Sequence, residues 1–92
     1  MPEVHVIKRK GQKQLYDERK VYASVYSACL NAHIQKMEAE KMAEQVAREI
    51  TRWMTYEREV ISSDHIFKKV IELMKEQNKD AAFMYETHRD LS

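Results

Sequence analysis

The sequence predicts an α+β fold that is mainly α, a four-helix bundle capped at one end by a small three-stranded β-sheet lid. The length, 92 residues, allows one domain over residues 1–92. Apolar residues recur at helical spacing along most of the chain, whereas short β-branched runs occur in two places. A single glycine and a single proline favour long helices over a loop-rich all-β fold.

The lid is predicted from the two β-branched runs. The first begins at Val4, and Gly11 follows it as a residue that tolerates a positive φ in a tight turn. The chain can then return as a second strand, which gives a hairpin over residues 4–16. Glu59–Ile61 can add a third strand. Because an isolated hairpin is marginally stable in water, we expect the lid to lie on the helices.

Capping residues and apolar periodicity predict the helices. Asp17 is a preferred N-cap, Ser62–Asp64 is a run of capping residues, and Asp80 is the candidate cap of the last helix. The predicted helices span about residues 18–32, 35–54, 63–76 and 80–89. In the third helix we expect one buried set and one marginal set. The buried set is Ile66, Val70, Leu73 and Met74, and the marginal set is Phe67 and Ile71.

Composition excludes several functional classes. The chain has 16 basic and 15 acidic residues, a net charge of +1 that argues against direct nucleic-acid binding. Cys29 is the single cysteine, so no internal disulfide or thiolate cluster can form, and we expect it to be a packed core thiol. No apolar run is long enough to span a bilayer, and the N-terminus lacks the pattern of a secretory signal. We therefore expect a cytoplasmic protein that does not bind membranes.

Catalytic motifs are not found in the sequence. One glycine cannot form a phosphate-binding P-loop, and the four histidines have no partners at metal-ligand spacing. No pair of carboxylates stands out from the charged surface. We therefore predict that the protein is not an enzyme and has neither catalytic nor metal-ligating residues.

A cluster of cationic residues is the most distinctive feature of the N-terminal region. It comprises Lys8, Arg9, Lys10 and Lys13 around the hairpin turn, and Lys20 in the first turn of the next helix. The positive end of a helix dipole disfavours a lysine by about 0.3–1 kcal/mol unless an anion binds there. Two interpretations stay open at this point, a phosphate-binding site and a cationic β edge that keeps the protein soluble.

Read in order, the residues resemble a known signature. Val6-Ile7-Lys8-Arg9-Lys10-Gly11, then Tyr16-Asp17 and Lys20-Val21, resemble the V-x-K-R-D-G strand and turn and the F-D-x-x-K-I helix start of ATP-cone domains. Glu59–Ile66 is similar to the family's V-(S/T)-S-x-x-I segment, and residues 81–90 are similar to its last helix. The resemblance covers residues 4–90.

The resemblance implies a regulatory function. ATP-cones are found in ribonucleotide reductases and in the repressor of reductase genes, where they bind ATP or dATP and convert that choice into a change of quaternary structure. It implies an adenine nucleotide held under the lid without hydrolysis, with Mg²⁺ as a candidate companion. It also implies a homo-oligomer or a regulated partner protein.

The resemblance also assigns residues to the nucleotide. Lys8 and Lys20 match positions that hold phosphates, with Arg9 as a helper. Ser62 matches a hydroxyl able to bond the base, while Gln14 and Tyr16 lie in the second-strand region near the ligand. The apolar walls of the adenine pocket would be Val6, Val21, Ile61 and Ile66.

The sequence departs from the family pattern in ways that leave alternatives open. Lys10 replaces the usual aspartate before the turn glycine, a change to the turn more than to the pocket. Gln14 stands where the family often has an acidic residue, which puts nucleotide selectivity in doubt. The zinc ribbon of the repressors and any reductase catalytic domain are absent, so the chain is either a stand-alone cone or a piece of a longer protein. The alternative function is a protein-interaction module that keeps the fold but has lost nucleotide binding. A third is DNA binding by the hairpin, against which the balanced charge argues.

Overall fold

The computed structural model describes residues 4–8, 10–56 and 60–88. Its elements in chain order are β1 His5–Ile7, β2 Lys13–Leu15, α1 Glu18–Asn31, α2 Lys36–Thr55, β3 Val60–Ser62, α3 Ser63–Gln77 and α4 Lys79–Thr87. Four helices and a three-stranded sheet confirm the predicted mainly helical α+β fold. None of the described helices combines the length and the apolar character needed to cross a membrane.

The sheet has the strand order β2-β1-β3 and is mixed. β1 pairs antiparallel with β2, and Gly11 at φ 84° closes the hairpin turn between them. The Lys8 N–H donates to the Gln12 carbonyl at 2.8 Å, which continues the hairpin ladder beyond the strands. β3 pairs with β1 in the parallel direction. Arg9 and Glu59, both included in the sequence predictions, lie outside the described residues.

The two faces of the sheet differ in burial. Val6 is directly paired with Gln14 on one side and with Ile61 on the other, so these three side chains form one row on the same face. Ile61 is 5% exposed and belongs to the hydrophobic core, so this row faces the helices. The opposite face points to solvent, because Leu15 is 56% exposed and Val60 is 44% exposed.

Side-chain caps begin three of the helices. Asp17 accepts from the Arg19 N–H at 3.0 Å, and Ser62 accepts from the His65 N–H at 3.1 Å, as predicted for α1 and α3. The prediction that Asp80 caps the last helix is wrong. α4 begins at Lys79, so Asp80 lies within its first turn, and the Asn78 side chain accepts from the Ala81 N–H at 2.9 Å.

α1 ends in a left-handed turn at His33. The φ of His33 is 65°, and its N–H donates to the Leu30 carbonyl at 3.0 Å. The Ile34 N–H reaches back to the Cys29 carbonyl at 3.0 Å. These two bonds form a Schellman motif, which satisfies the last carbonyls of α1 and turns the chain toward α2.

All four helices contribute to one core. Its largest fully buried side chains are Ile50, Met54, Met74, Val25, Val46, Val70 and Cys29. Cys29 is a core thiol, as predicted: its Sγ lies 3.3 Å from the Met42 Sδ, and burial raises its pKa.

The burial of α3 differs from the prediction at two positions. Ile71 is buried, whereas Leu73 is only partly buried, the reverse of what the apolar spacing indicated. Phe67 precedes Ile71 by one helical turn and stacks on Tyr85 with ring centroids 5.4 Å apart. α4 therefore lies against this side of α3, a contact that the sequence of α3 alone cannot reveal.

Candidate functional site

The lid places two helix starts at opposite ends of β1. α1 starts shortly after Leu15, which pairs with His5 at the beginning of β1. α3 starts directly after Ser62, which pairs with Ile7 at the end of β1. From His5 to Lys8 a strand rises about 10 Å. The backbone of Lys8 thus lies about 10 Å along the strand from the end at which α1 starts.

The two lysines assigned to phosphates differ from the neighbouring Arg19. Lys8 is half-buried at the end of β1, and Lys20 is exposed in the first turn of α1. Arg19 pairs with the Asp17 carboxylate at 3.2 Å, and this contact holds the pKa of Asp17 below its usual range. Within the described part of the chain, neither Lys8 nor Lys20 forms an ion pair. Both ammonium groups can therefore bind an anion without breaking an existing salt bridge.

The apolar residues assigned to the adenine pocket lie mostly in the core. Val21 and Ile66 are each 9% exposed, and Ile61 is buried with them. Val6 is half-buried and packs against the same cluster. All four side chains thus belong to one core cluster or pack against it, and the surface that they offer to a ligand is small.

The polar residues assigned to the ligand differ in whether their hydrogen-bonding groups already have partners in the protein. The Tyr16 hydroxyl is 2.8 Å from the Thr51 Oγ1, so it already has a partner on α2. The Ser62 oxygen accepts the capping N–H of His65, and its own proton can still be donated. Gln14 is half-buried in the inner row, and its side-chain amide forms no hydrogen bond with the other described residues. Gln14 therefore lies on the inner face of the sheet, whereas Ser62 alternates with Ile61 and lies on the outer side at the start of α3.

A groove between α1, α3 and α4 was not predicted from the sequence. Its volume is about 400 Å³, within the range of small-molecule sites. It is lined by Ala23, Ser24, Ser27, Ala28, Phe67, Met84, Tyr85 and His88. None of the predicted site residues that the structure describes lines it. The Ser24 Oγ donates to the Lys20 carbonyl at 2.9 Å, so the groove starts one helical turn beyond Lys20.

The groove combines hydroxyl groups with aromatic rings. Tyr85 stacks on Phe67 at an interplanar angle of 25°, and burial raises the pKa of Tyr85 to about 12. The His88 Nδ1 lies 2.8 Å from the Met84 carbonyl. The sequence offered a weak signal for this groove, since Ser24 and Ser27 are small residues on one side of α1. Grouping them with α4 requires knowledge of how the two helices pack.

Comparison with known proteins identifies the family. The family model of the ATP cone domain matches residues 4–91, from the first strand of the lid to beyond α4. The chain is also 30% identical over 92 residues to a protein of Kosmotoga olearia named Transcriptional repressor NrdR. That alignment covers 96% of this chain and 56% of the repressor, so the chain spans about half the length of this curated relative. The family match and the lid-capped helical bundle lead to the same conclusion: the chain belongs to the ATP-cone family.

Proposed function

We propose that this domain binds an adenine nucleotide, ATP or dATP, at its lid end as a regulatory effector, and that it does not hydrolyse the nucleotide. The observation that carries the proposal is the pair of lysines, Lys8 at the end of β1 and Lys20 in the first turn of α1. Neither lysine has an ion-pair partner among the described residues. A triphosphate along the sheet would supply the missing negative charge to both.

Phosphate binding also suits the start of α1. The first turn of a helix presents unpaired N–H groups and a partial positive charge, so Lys20 lies in an unfavourable field when no anion is near. A bound phosphate reverses this effect, because it interacts favourably with the dipole and with the ammonium group at once. The same position would bind a neutral nucleoside far more weakly.

In this proposal the bound nucleotide acts as a regulatory effector and is not a substrate for hydrolysis. The chain has one glycine, so it contains no P-loop, and no general base has been assigned beside the proposed phosphates. The relative in Kosmotoga olearia is named a transcriptional repressor. By family membership we propose that nucleotide occupancy here controls association with a second copy or with a partner protein.

One observation favours the alternative, an interaction module that has lost nucleotide binding. Val21, Ile61 and Ile66 are already buried in the core, so the adenine would have little apolar surface to contact unless the lid moves. Gln14 also stands where the family often has an acidic residue. In this alternative the lysines would only contribute to solubility.

Calorimetric titration of the 92-residue chain with ATP, dATP, ADP and GTP tests the proposal. A charge-assisted hydrogen bond contributes roughly 1.5–3 kcal/mol, so Lys8→Ala or Lys20→Ala should weaken ATP or dATP binding about 10- to 100-fold. Lys13→Ala is the matched control, because Lys13 is an exposed lysine on β2 and its loss should matter much less.

Two results would contradict the proposed site. Equal effects of all three lysine variants would mean that attraction is diffuse and that no phosphate site exists. Ser27→Phe, which fills the groove between α1 and α4, should leave nucleotide affinity unchanged. If this variant abolishes binding while Lys8→Ala does not, the nucleotide occupies the groove instead of the lid.

A further inference from the structure

A hydrogen bond joins the end of the hairpin to α2. The hydroxyl groups of Tyr16 and Thr51, residues 35 positions apart in the chain, lie 2.8 Å from each other. Both side chains are half-buried, and the Tyr16 ring packs against the core. Thr51 lies on α2, one helical turn before its end at Thr55. The bond therefore connects the lid to a helix that carries none of the predicted nucleotide residues.

Tyr16 is held from two sides. Its backbone N–H donates to the Val4 carbonyl at 2.8 Å, which binds it to the strand that carries Lys8. Its side chain is bound to Thr51, and the next residue, Asp17, caps α1. Tyr16 thus lies at the junction where the lid becomes the helix of Lys20, and its position determines how these parts meet.

The hydrogen bond between Tyr16 and Thr51 lies in a partly buried environment. Tyr16 is half-buried, and this burial is the largest cause of the rise of its pKa to about 12. A hydroxyl in such a place loses some of its solvent partners, and the Thr51 hydroxyl replaces one of them. Without the Thr51 hydroxyl, Tyr16 would lose its hydrogen bond to α2.

We infer that Thr51 is a positioning residue for the nucleotide site, because its hydroxyl fixes Tyr16 and thereby the junction between the lid and α1. This inference rests on the proposed function. Thr51 itself does not contact the nucleotide. It keeps the inner row of the sheet and the start of α1 in the arrangement in which both face one ligand.

Conservative variants of the 92-residue chain test the inference by calorimetry with ATP and dATP. Thr51→Val and Tyr16→Phe each remove one hydroxyl and keep the shape, and each should weaken binding about 3- to 10-fold. The double variant should bind no more weakly than either single one, since both changes remove the same bond. Thr51→Ser keeps the hydroxyl and should restore near-normal affinity.

Thr55→Val is the matched control. Thr55 lies one turn further along α2, and among the described residues its hydroxyl donates to the Arg52 carbonyl of the same helix, at 2.6 Å. This variant makes the same chemical change on the same helix without touching the lid, so nucleotide affinity should be unchanged. Amide hydrogen exchange without nucleotide should be faster in β1 and β2 of Thr51→Val, while the amides around Ile50 on α2 should keep their protection.

The outcomes separate the inference from the proposed function. A wild-type chain that binds neither ATP nor dATP overturns the proposed function and this inference with it. If the wild-type chain binds and Thr51→Val binds equally well, with or without a lower melting temperature, the hydroxyl has only a structural role and the inference alone is wrong.

Discussion

The backbone of His33 adopts a conformation that is unfavourable for any residue with a Cβ atom. Its φ of 65° lies in the left-handed region, where a Cβ atom is strained and where glycine is preferred at the end of a helix. We predict that His33→Gly stabilises the fold by about 0.5–1 kcal/mol, because the relief of strain exceeds the added entropy of the unfolded chain. Thermal unfolding followed by circular dichroism should show a melting temperature raised by a few degrees.

Lys41→Gly is the matched control for that change. Lys41 is exposed in the middle of α2, where glycine gives no relief and costs about 1 kcal/mol of stability. The two glycine variants should therefore shift the melting temperature in opposite directions. A fall in both would show that the His33 side chain stabilises the turn by more than its strain costs.

Caps illustrate what can be predicted for single residues. Asp17 and Ser62 were predictable because each directly precedes a clear apolar period. Asn78 and Asp80 are both good capping residues, two positions apart, and composition does not distinguish them. Which of the two residues is the cap depends on where α4 begins. The helix begins at Lys79, which places Ala81 and Ala82 in buried positions.

At the scale of elements, the burial of Tyr85 on α4 should make the fold less stable at high pH. Burial raises the pKa of Tyr85 to about 12 from an ordinary value of 10.0. As pH rises from about 10 to about 12, the unfolded chain releases this proton while the folded chain keeps it, so the free energy of unfolding falls. We predict that Tyr85→Phe, which cannot ionise, loses less stability over this interval. Melting temperatures measured across the interval would show a shallower slope.

Tyr56→Phe is the control for the alkaline series. Tyr56 is 85% exposed, so its removal should leave the slope of the wild-type chain unchanged. If Tyr85→Phe follows the wild-type slope as closely as Tyr56→Phe does, the phenol of Tyr85 is not protected by the contact between α3 and α4.

Elements with local causes were predictable, and those with distant causes were not. The helices follow from apolar periodicity, and the hairpin follows from Gly11 between two short strands. A third strand could be suggested from β-branched residues, but its parallel pairing with β1 depends on how two long helices return the chain to the sheet. The groove beside α1 was missed for the same reason, since its walls come from three helices.

For the whole molecule, nucleotide binding should appear as added stability. A ligand that binds only the folded state stabilises it by about 2.7 kcal/mol at a hundredfold excess over Kd. For a domain of this size each kcal/mol raises the melting temperature by about 4–8 °C. We predict that saturating ATP or dATP raises it by on the order of 10 °C or more. A thermal scan with and without nucleotide measures this shift.

The Lys8→Ala, Lys20→Ala double variant separates specific binding from a general effect of polyanions. Its melting temperature without nucleotide should be close to that of the wild-type chain, because neither lysine has an ion-pair partner among the described residues. Its shift with ATP or dATP should vanish. A wild-type chain whose melting curve does not move with millimolar nucleotide would instead favour the interaction module.

The parallel pairing of β1 with β3 determines when the lid can be completed during synthesis. His5 meets Val60 in the sheet, so β1 has to wait for most of the chain to emerge from the ribosome before its second neighbour exists. α1 and α2 can form earlier from local contacts, whereas a pairing between distant residues is slow to form. Ile61, which lies on β3, is therefore buried in the core only at this late step. A nascent chain that ends before β3 would contain the hairpin and two helices, but the third strand of the sheet would be missing.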